Sequence, residues 1–239
     1  MINEFSRTEL LIGQKPMERL KSAAVMVFGV GGVGSHCIDA LARSGIGKLI
    51  LIDHDKVSVT NINRQCVANH STIGSYKTLA MTRQIAEICP DIRVETYERF
   101  ILEDNLDDLL KKRPDYIVDA VDTVTAKIAI IKGAQRLGIP LISSMGTGNK
   151  LHPELFEITD LYKTSVCPLC RVMRRELKAR GILHLKVLYS KEQPVDISGR
   201  ISEEEKWKRK AVPGSISFVP PVAGLLIAGE VIRTLAGID

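Results

Sequence analysis

Short apolar runs alternate with stretches in which apolar residues recur every three or four positions, from residue 23 to residue 144. The run 23–28 has the length and the β-branched content of a buried parallel strand. A glycine-rich turn, 29–34, follows, and 35–43 has helical spacing until Ser44-Gly45 stops it. The next strand is 48–52, ending at Asp53, which completes one βαβ unit. From 53 to 75 the periodicity lapses and polar residues dominate, a pattern that marks functional loops in compact α/β domains. Helices are then expected at 75–89, 104–112 and 125–137, and strands at 93–97, 116–120 and 140–144. Pro90, Pro114 and Gly138 supply the stops.

This alternation predicts an α/β fold, a Rossmann-like mostly parallel sheet with helices on both faces. Beyond residue 150 the pattern is less regular and reads as an irregular C-terminal extension. Strands are expected at 155–159 and 184–189, a basic helix at 168–179, a polar loop at 191–213, and an apolar helix at 220–235. No internal repeat and no linker appears, so 1–239 is read as one domain. Its nucleotide-binding core would span about 20–150, and its substrate and dimer portion about 151–239. The stretch 1–21 is punctuated by charges and has no apolar signal core. The apolar run 218–232 is broken by Pro220, Pro221 and Glu230, so it reads as a buried or interface helix and no membrane contact is expected.

Composition narrows the classes. Hydrophobic residues at 45% and charged residues at 26% exclude disordered and fibrous chains. Aromatics at 5% are too few for a stacking platform on single-stranded nucleic acid. A net charge of +5 allows a phosphate-rich partner without requiring one. The five cysteines are odd in number and three lie in periodic segments, which implies a reduced, cytoplasmic chain.

The glycine turn holds the first candidate chemistry. A strand that runs through Gly29, Gly31, Gly32 and Gly34 into a helix aims backbone N–H groups and the helix dipole at an anion. Asp53 ends the next strand, where a carboxylate can bond a ribose. These features alone fit a nicotinamide-dependent oxidoreductase as well as an ATP enzyme. Further along, Asp53-His54-Asp55 leads into Asn61 and Arg64, Lys77 opens the next helix, and Asp122 follows the strand 116–120. Two cations and a second carboxylate suit a triphosphate with Mg²⁺, Asp122 holding the metal. Asp122 is also placed to cap the helix that starts near Thr125, and the sequence leaves that alternative open.

The series GVGGVGS (29–35), LIDHD (51–55), NINRQ (61–65), Lys77 and VDAVDT (118–123) resembles the ThiF-type adenylating superfamily of ubiquitin-activating enzymes and sulfur-carrier adenylyltransferases. The resemblance covers roughly residues 7–148. It implies that the glycines, Asn61, Arg64 and Lys77 face the phosphates of ATP, that Asp53 holds the ribose, that Asp55 belongs to the nucleotide-binding set, and that Asp122 coordinates Mg²⁺. Arg7 matches the arginine that this family inserts into its partner's active site, which implies a homodimer. Asp122, Arg64, Lys77 and Arg7 would carry the catalysis. Within the superfamily, the lead-in 7–13 and the segment 217–224 are similar to the branch that dehydrates threonylcarbamoyladenosine in tRNA. That branch activates a carboxylate as an acyl-adenylate and closes a ring beside the anticodon. Adenylation of the C-terminus of a ubiquitin-like sulfur carrier is the alternative, and a nucleotide-binding regulator without turnover is another. A sulfur-relay partner protein and a monovalent cation remain compatible with the resemblance.

Cys167 and Cys170 form half of a zinc signature, but no second pair follows. They are expected to be thiols at a helix start rather than a zinc site, with completion by His152 or His184 as the alternative. For tRNA, Arg171, Arg174, Arg175 and Lys178 recur at helical spacing, a second cluster surrounds Trp207, and a third is 111–113. The loop 191–213 is read as a candidate lid.

Overall fold

The computed structural model describes residues 2–200 and 213–238. Its sheet has seven strands: β1 (Ala24–Phe28), β2 (Lys48–Ile52), β3 (Arg93–Tyr97), β4 (Tyr116–Asp119), β5 (Leu141–Ser144), β6 (Phe156–Asp160) and β7 (Lys186–Ser190). They lie in the order β3-β2-β1-β4-β5-β7-β6. Every neighbouring pair is parallel except β6 and β7, which run antiparallel at one edge. After β3 the chain therefore crosses to the far side of β1 to form β4, and the strand order reverses between β1 and β4. That reversal opens a crevice beyond the strands' carboxyl ends, where such sheets bind ligands.

Residues alternate across the central strands as a pleated backbone requires. Val25 and Val27 of β1 face one layer, with α2 (Gln14–Ser22), α3 (Gly34–Arg43), α4 (Lys77–Ile88) and α8 (Val219–Ala236). Met26 and Phe28 face the other, with α5 (Asp107–Leu110) and α6 (Val124–Leu137). A third cluster joins α6 to α7 (Pro168–Lys178) and β7. α3 and α8 approach closely at Gly224, where a Cβ would lie 2.4 Å from the Val33 carbonyl oxygen.

The segment beyond residue 150 is built into this body. β6 and β7 extend the same sheet, and Ala223, Ile227, Ala228 and Val231 of α8 are buried in the main core. α8 is long and apolar enough to cross a membrane by composition alone, but it packs against α3 and α2. Two helices are additional to the elements read from sequence. α1 (Ser6–Ile12) buries none of its residues and α2 buries only Leu20. The helix expected at 104–112 is shorter, a turn at Glu103–Asn105 followed by α5. Half of the loop 191–213 and the cluster around Trp207 lie outside the described residues.

Candidate functional site

A cleft of about 510 Å³ opens at the carboxyl ends of β1, β2, β4 and β5. Gly29, Gly31, Gly32, Asp53, Asp55, Asn61, Arg64, Lys77 and Asp122 all line it. These are nine of the ten residues expected from sequence to meet the nucleotide, drawn from five separated stretches of chain.

The floor of the cleft is the turn from β1 into α3. Gly29 has φ +90°, and a Cβ there would lie 2.7 Å from the Ala120 carbonyl oxygen, so the turn is seated directly on the end of β4. Gly34, the tenth residue, does not line the cleft. Its Cβ would lie 1.8 Å from the Gly29 carbonyl oxygen, so glycine there lets α3 close onto the turn. Gly31 differs: no protein atom comes nearer to its Cβ position than Gln65 Nε2 at 3.9 Å. Packing does not demand glycine at 31, whereas a ligand lying against the backbone would. No side chain caps the start of α3, which leaves its dipole to the cleft.

Asp53 is nearly buried, and its carboxylate fastens the turn. Oδ2 accepts from the Val30 amide at 2.7 Å and Oδ1 from the Asp55 amide at 2.8 Å. Each oxygen keeps a lone pair for a hydroxyl donor. Lys77 Nζ donates to Asp55 Oδ2 at 2.7 Å; the lysine side chain is 7% exposed and the aspartate 51%. Asp55 is thus the counter-ion that holds a buried ammonium at the cleft wall. Arg64 Nη1 donates to the Thr60 carbonyl at 2.9 Å and to Asn63 Oδ1 at 2.8 Å. Partial burial lowers its pKa from the ordinary arginine value. Asn61 Oδ1 accepts from the Ser58 amide at 3.1 Å and so folds the turn that presents both residues.

Asp122 is exposed in the cleft. The residue that caps α6 is Thr123, with no side-chain hydrogen bond to the helix. Asp122 Oδ1 accepts from Thr123 Oγ1 at 3.2 Å and takes no part in capping. The cap alternative is therefore not realised, and the Asp122 carboxylate is left exposed at the cleft. Arg7, on α1, is exposed and is not among the residues that line the cleft of its own chain.

The structure also brings in residues that the sequence reading passed over. Arg99, Phe100 and Ile101 line one side of the cleft, and the run from Ser144 to Gly148 lines another. The signal for the second was present: a strand that ends in small residues and glycine at the carboxyl edge of a sheet. Asp53, His54 and Asp55 have ligand atoms within 4.8 Å of one another, but Asp53 is bonded to backbone amides and Asp55 to Lys77.

The remaining expectations divide. Arg171, Arg175 and Lys178 are exposed on one face of α7. Arg174 is turned inward, where Nη1 donates to the Thr164 carbonyl at 3.0 Å and also to Thr164 Oγ1. It braces the loop before α7, so the basic surface of this helix has three members instead of four. Cys167 and Cys170 are buried at the start of α7. The mutual interaction of the two neighbouring thiols lowers the pKa of Cys167 and raises that of Cys170. His152 pairs with Glu154 and His184 with Asp160. Among the described residues, the one cluster of three or more metal-ligand side chains is 53–55, away from this pair.

Comparison with known proteins follows the same lines. The model of the ThiF family matches residues 5–239. A tRNA threonylcarbamoyladenosine dehydratase from Bacillus subtilis is 42% identical, over 98% of this chain and 95% of its own. The solved structure of the tRNA N6-threonylcarbamoyladenosine dehydratase of E. coli in complex with ATP superposes with a TM-score of 0.88. It is 32% identical, over 98% of this chain and 94% of that one. A sulfur carrier protein adenylyltransferase from Thermus thermophilus is 31% identical over 55% of this chain and 48% of its own.

Proposed function

The chain belongs to the ThiF family, and from that premise we propose that it is an ATP-dependent dehydratase that cyclises threonylcarbamoyladenosine in tRNA. The observation that carries the proposal is the convergence of Asp53, Asn61, Arg64, Lys77 and Asp122 on one cleft at the switch point of the sheet. The near-full-length likeness to dehydratases, against a half-length likeness to a sulfur-carrier enzyme, supports this substrate over the alternative.

The chemistry follows from the reactants. A carboxylate is a poor electrophile. Its oxygen attacks the α-phosphorus of ATP, pyrophosphate leaves, and the acyl group gains AMP as a leaving group. A nucleophile in the same modified side chain then attacks the acyl carbon and expels AMP. The carboxylate oxygen departs with AMP, so the nucleoside loses water overall. Internal capture needs no enzyme nucleophile, because effective concentrations reach about 10⁵ M or more in favourable geometry. In this scheme the α3 turn and Asp53 hold the nucleotide, while Arg64 and Lys77 balance phosphate charge as pyrophosphate departs. Lys77 would exchange part of its bond with Asp55 for phosphate oxygen.

Asp122, uncommitted to the helix cap, fits Mg²⁺, which when bound offsets phosphate charge and keeps some of its waters. The partner subunit of a homodimer would complete the site with its own Arg7. Arg171, Arg175 and Lys178 would meet the tRNA backbone. The single sheet supports one functional unit over the whole chain, and a tRNA substrate supports a cytoplasmic location.

The test is ATP–pyrophosphate exchange. It should require tRNA carrying threonylcarbamoyladenosine, and nucleoside mass spectrometry should show the loss of one water. Exchange that instead required a small carrier protein would overturn the assignment. Binding of tRNA should weaken with salt, and neutralising Arg171, Arg175 and Lys178 together should reduce the slope of log affinity against log salt by about 2 to 3.

A further inference from the structure

Beneath the cleft sits an ion pair that the chemistry above does not use. Lys127 of α6 and Asp119, the last residue of β4, are 3.0 Å apart, and both side chains have 0% exposure. Lys127 Nζ also donates to Ser143 Oγ at 3.1 Å and to the Ser144 carbonyl at 2.7 Å, so all three ammonium hydrogens are used. Ser143 Oγ donates to the same Asp119 oxygen at 2.6 Å. The other Asp119 oxygen accepts from the Val121 amide at 3.2 Å.

A buried ion pair is weak grounds for stability on its own. Two charges removed from water are costly, and apolar residues of similar volume often replace such a pair without loss. A lysine on an apolar helix normally extends its ammonium to solvent, and this one does not. What the pair supplies is a fixed separation between two walls. The carboxylate is bonded to the amide next to Asp122. The ammonium is bonded to the carbonyl next to Met145, where the 145–148 wall of the cleft begins. Charge-assisted bonds in a dry, fully satisfied network tie those two segments at one point.

We propose that Lys127 is a positioning residue for adenylation. Through Asp119, Ser143 and Ser144 it holds the turn that bears Asp122 in register with the opposite wall, without touching the nucleotide. This rests on the cleft being the adenylation site. A misplacement of about 1 Å in such a frame can cost about 100-fold in rate.

The test uses the full chain with the double substitution Asp119→Asn and Lys127→Met, which removes both charges and keeps the approximate shape. ATP–pyrophosphate exchange should lose about ten-fold or more in kcat, while the KM for ATP changes less than about three-fold, because the α3 turn, Arg64 and Lys77 are untouched. Hydrogen exchange should accelerate in 119–123 and 143–148 and stay unchanged in β1 and β2. Wild-type kcat overturns the proposal, as does unchanged protection of those two segments. If the double variant does not fold, Ser143→Ala decides. It should lower kcat by about two- to five-fold with the same local loosening, and no change in either measure overturns the proposal. Asp122→Asn serves as the control. If it leaves exchange intact, the adenylation reading of the cleft fails separately, and local amide protection alone then judges the network.

Discussion

At Gly34 the demand for glycine comes from the protein itself, and at Gly31 it does not. Gly34→Ala should therefore destabilise the fold by about 3 kcal/mol in urea unfolding, because a methyl group must enter the space of the Gly29 carbonyl. Gly31→Ala should leave the unfolding midpoint nearly unchanged and weaken ATP binding. Lys77→Ala and Asp122→Ala should each lower ATP–pyrophosphate exchange by about 100-fold with the circular-dichroism spectrum retained. Near-normal exchange in either variant would remove that residue from the site. Position and spacing pointed to these residues in the sequence, because each lies in or beside a strand-to-helix connection at the same edge of the sheet. Arg174 and Lys127 were not legible. Helical spacing alone does not say which of four arginines and lysines turns inward, and a lysine among apolar residues looks the same whether its ammonium reaches water or a buried aspartate.

Among elements, the strands were read most closely, since 48–52 and 93–97 are the bounds of β2 and β3. Their apolar runs are short and end at polar or glycine positions. α1 and α2 went unread for the opposite reason: they are short and mostly polar, with one buried residue between them. α5 was overextended because the approach to Pro114 ends in turns and not in helix. β3 carries a testable electrostatic feature. Glu95 lies 2.6 Å from Lys48 of β2 and 2.7 Å from Lys112 beyond α5. Lys112 first and then Lys48 hold its pKa down at about 2, against an ordinary 4.5. A depressed carboxylate stabilises the fold above its ordinary value, and that contribution fades as pH falls toward about 2. The side chain is one-third exposed, so water and salt screen the effect. Glu95→Gln should flatten the fall in melting temperature between pH 4.5 and 2. An unchanged slope would show that the two lysines do not perturb this carboxylate.

For the whole molecule, the site depends on a second copy if Arg7 acts across a dimer. Arg7→Ala and Asp122→Ala chains would each be inactive alone. Mixed in equal amounts and allowed to exchange subunits, half of the dimers would be hybrids with one intact site of two, restoring about a quarter of wild-type activity. No recovery would exclude a contribution in trans.

The antiparallel edge has a consequence of its own. β6 leaves the sheet at Asp160 and β7 returns beside it at Lys186, so the segment bearing α7 is an excursion that starts and finishes on one edge. Lengthening or exchanging the solvent side of that excursion does not shift the pairing of β1, β2 or β4. Recognition of new macromolecular substrates can therefore evolve there while the nucleotide machinery keeps its alignment. Conversely, chimaeras that transplant 170–185 between relatives, leaving Leu169 at the cleft in place, should keep the recipient's ATP affinity.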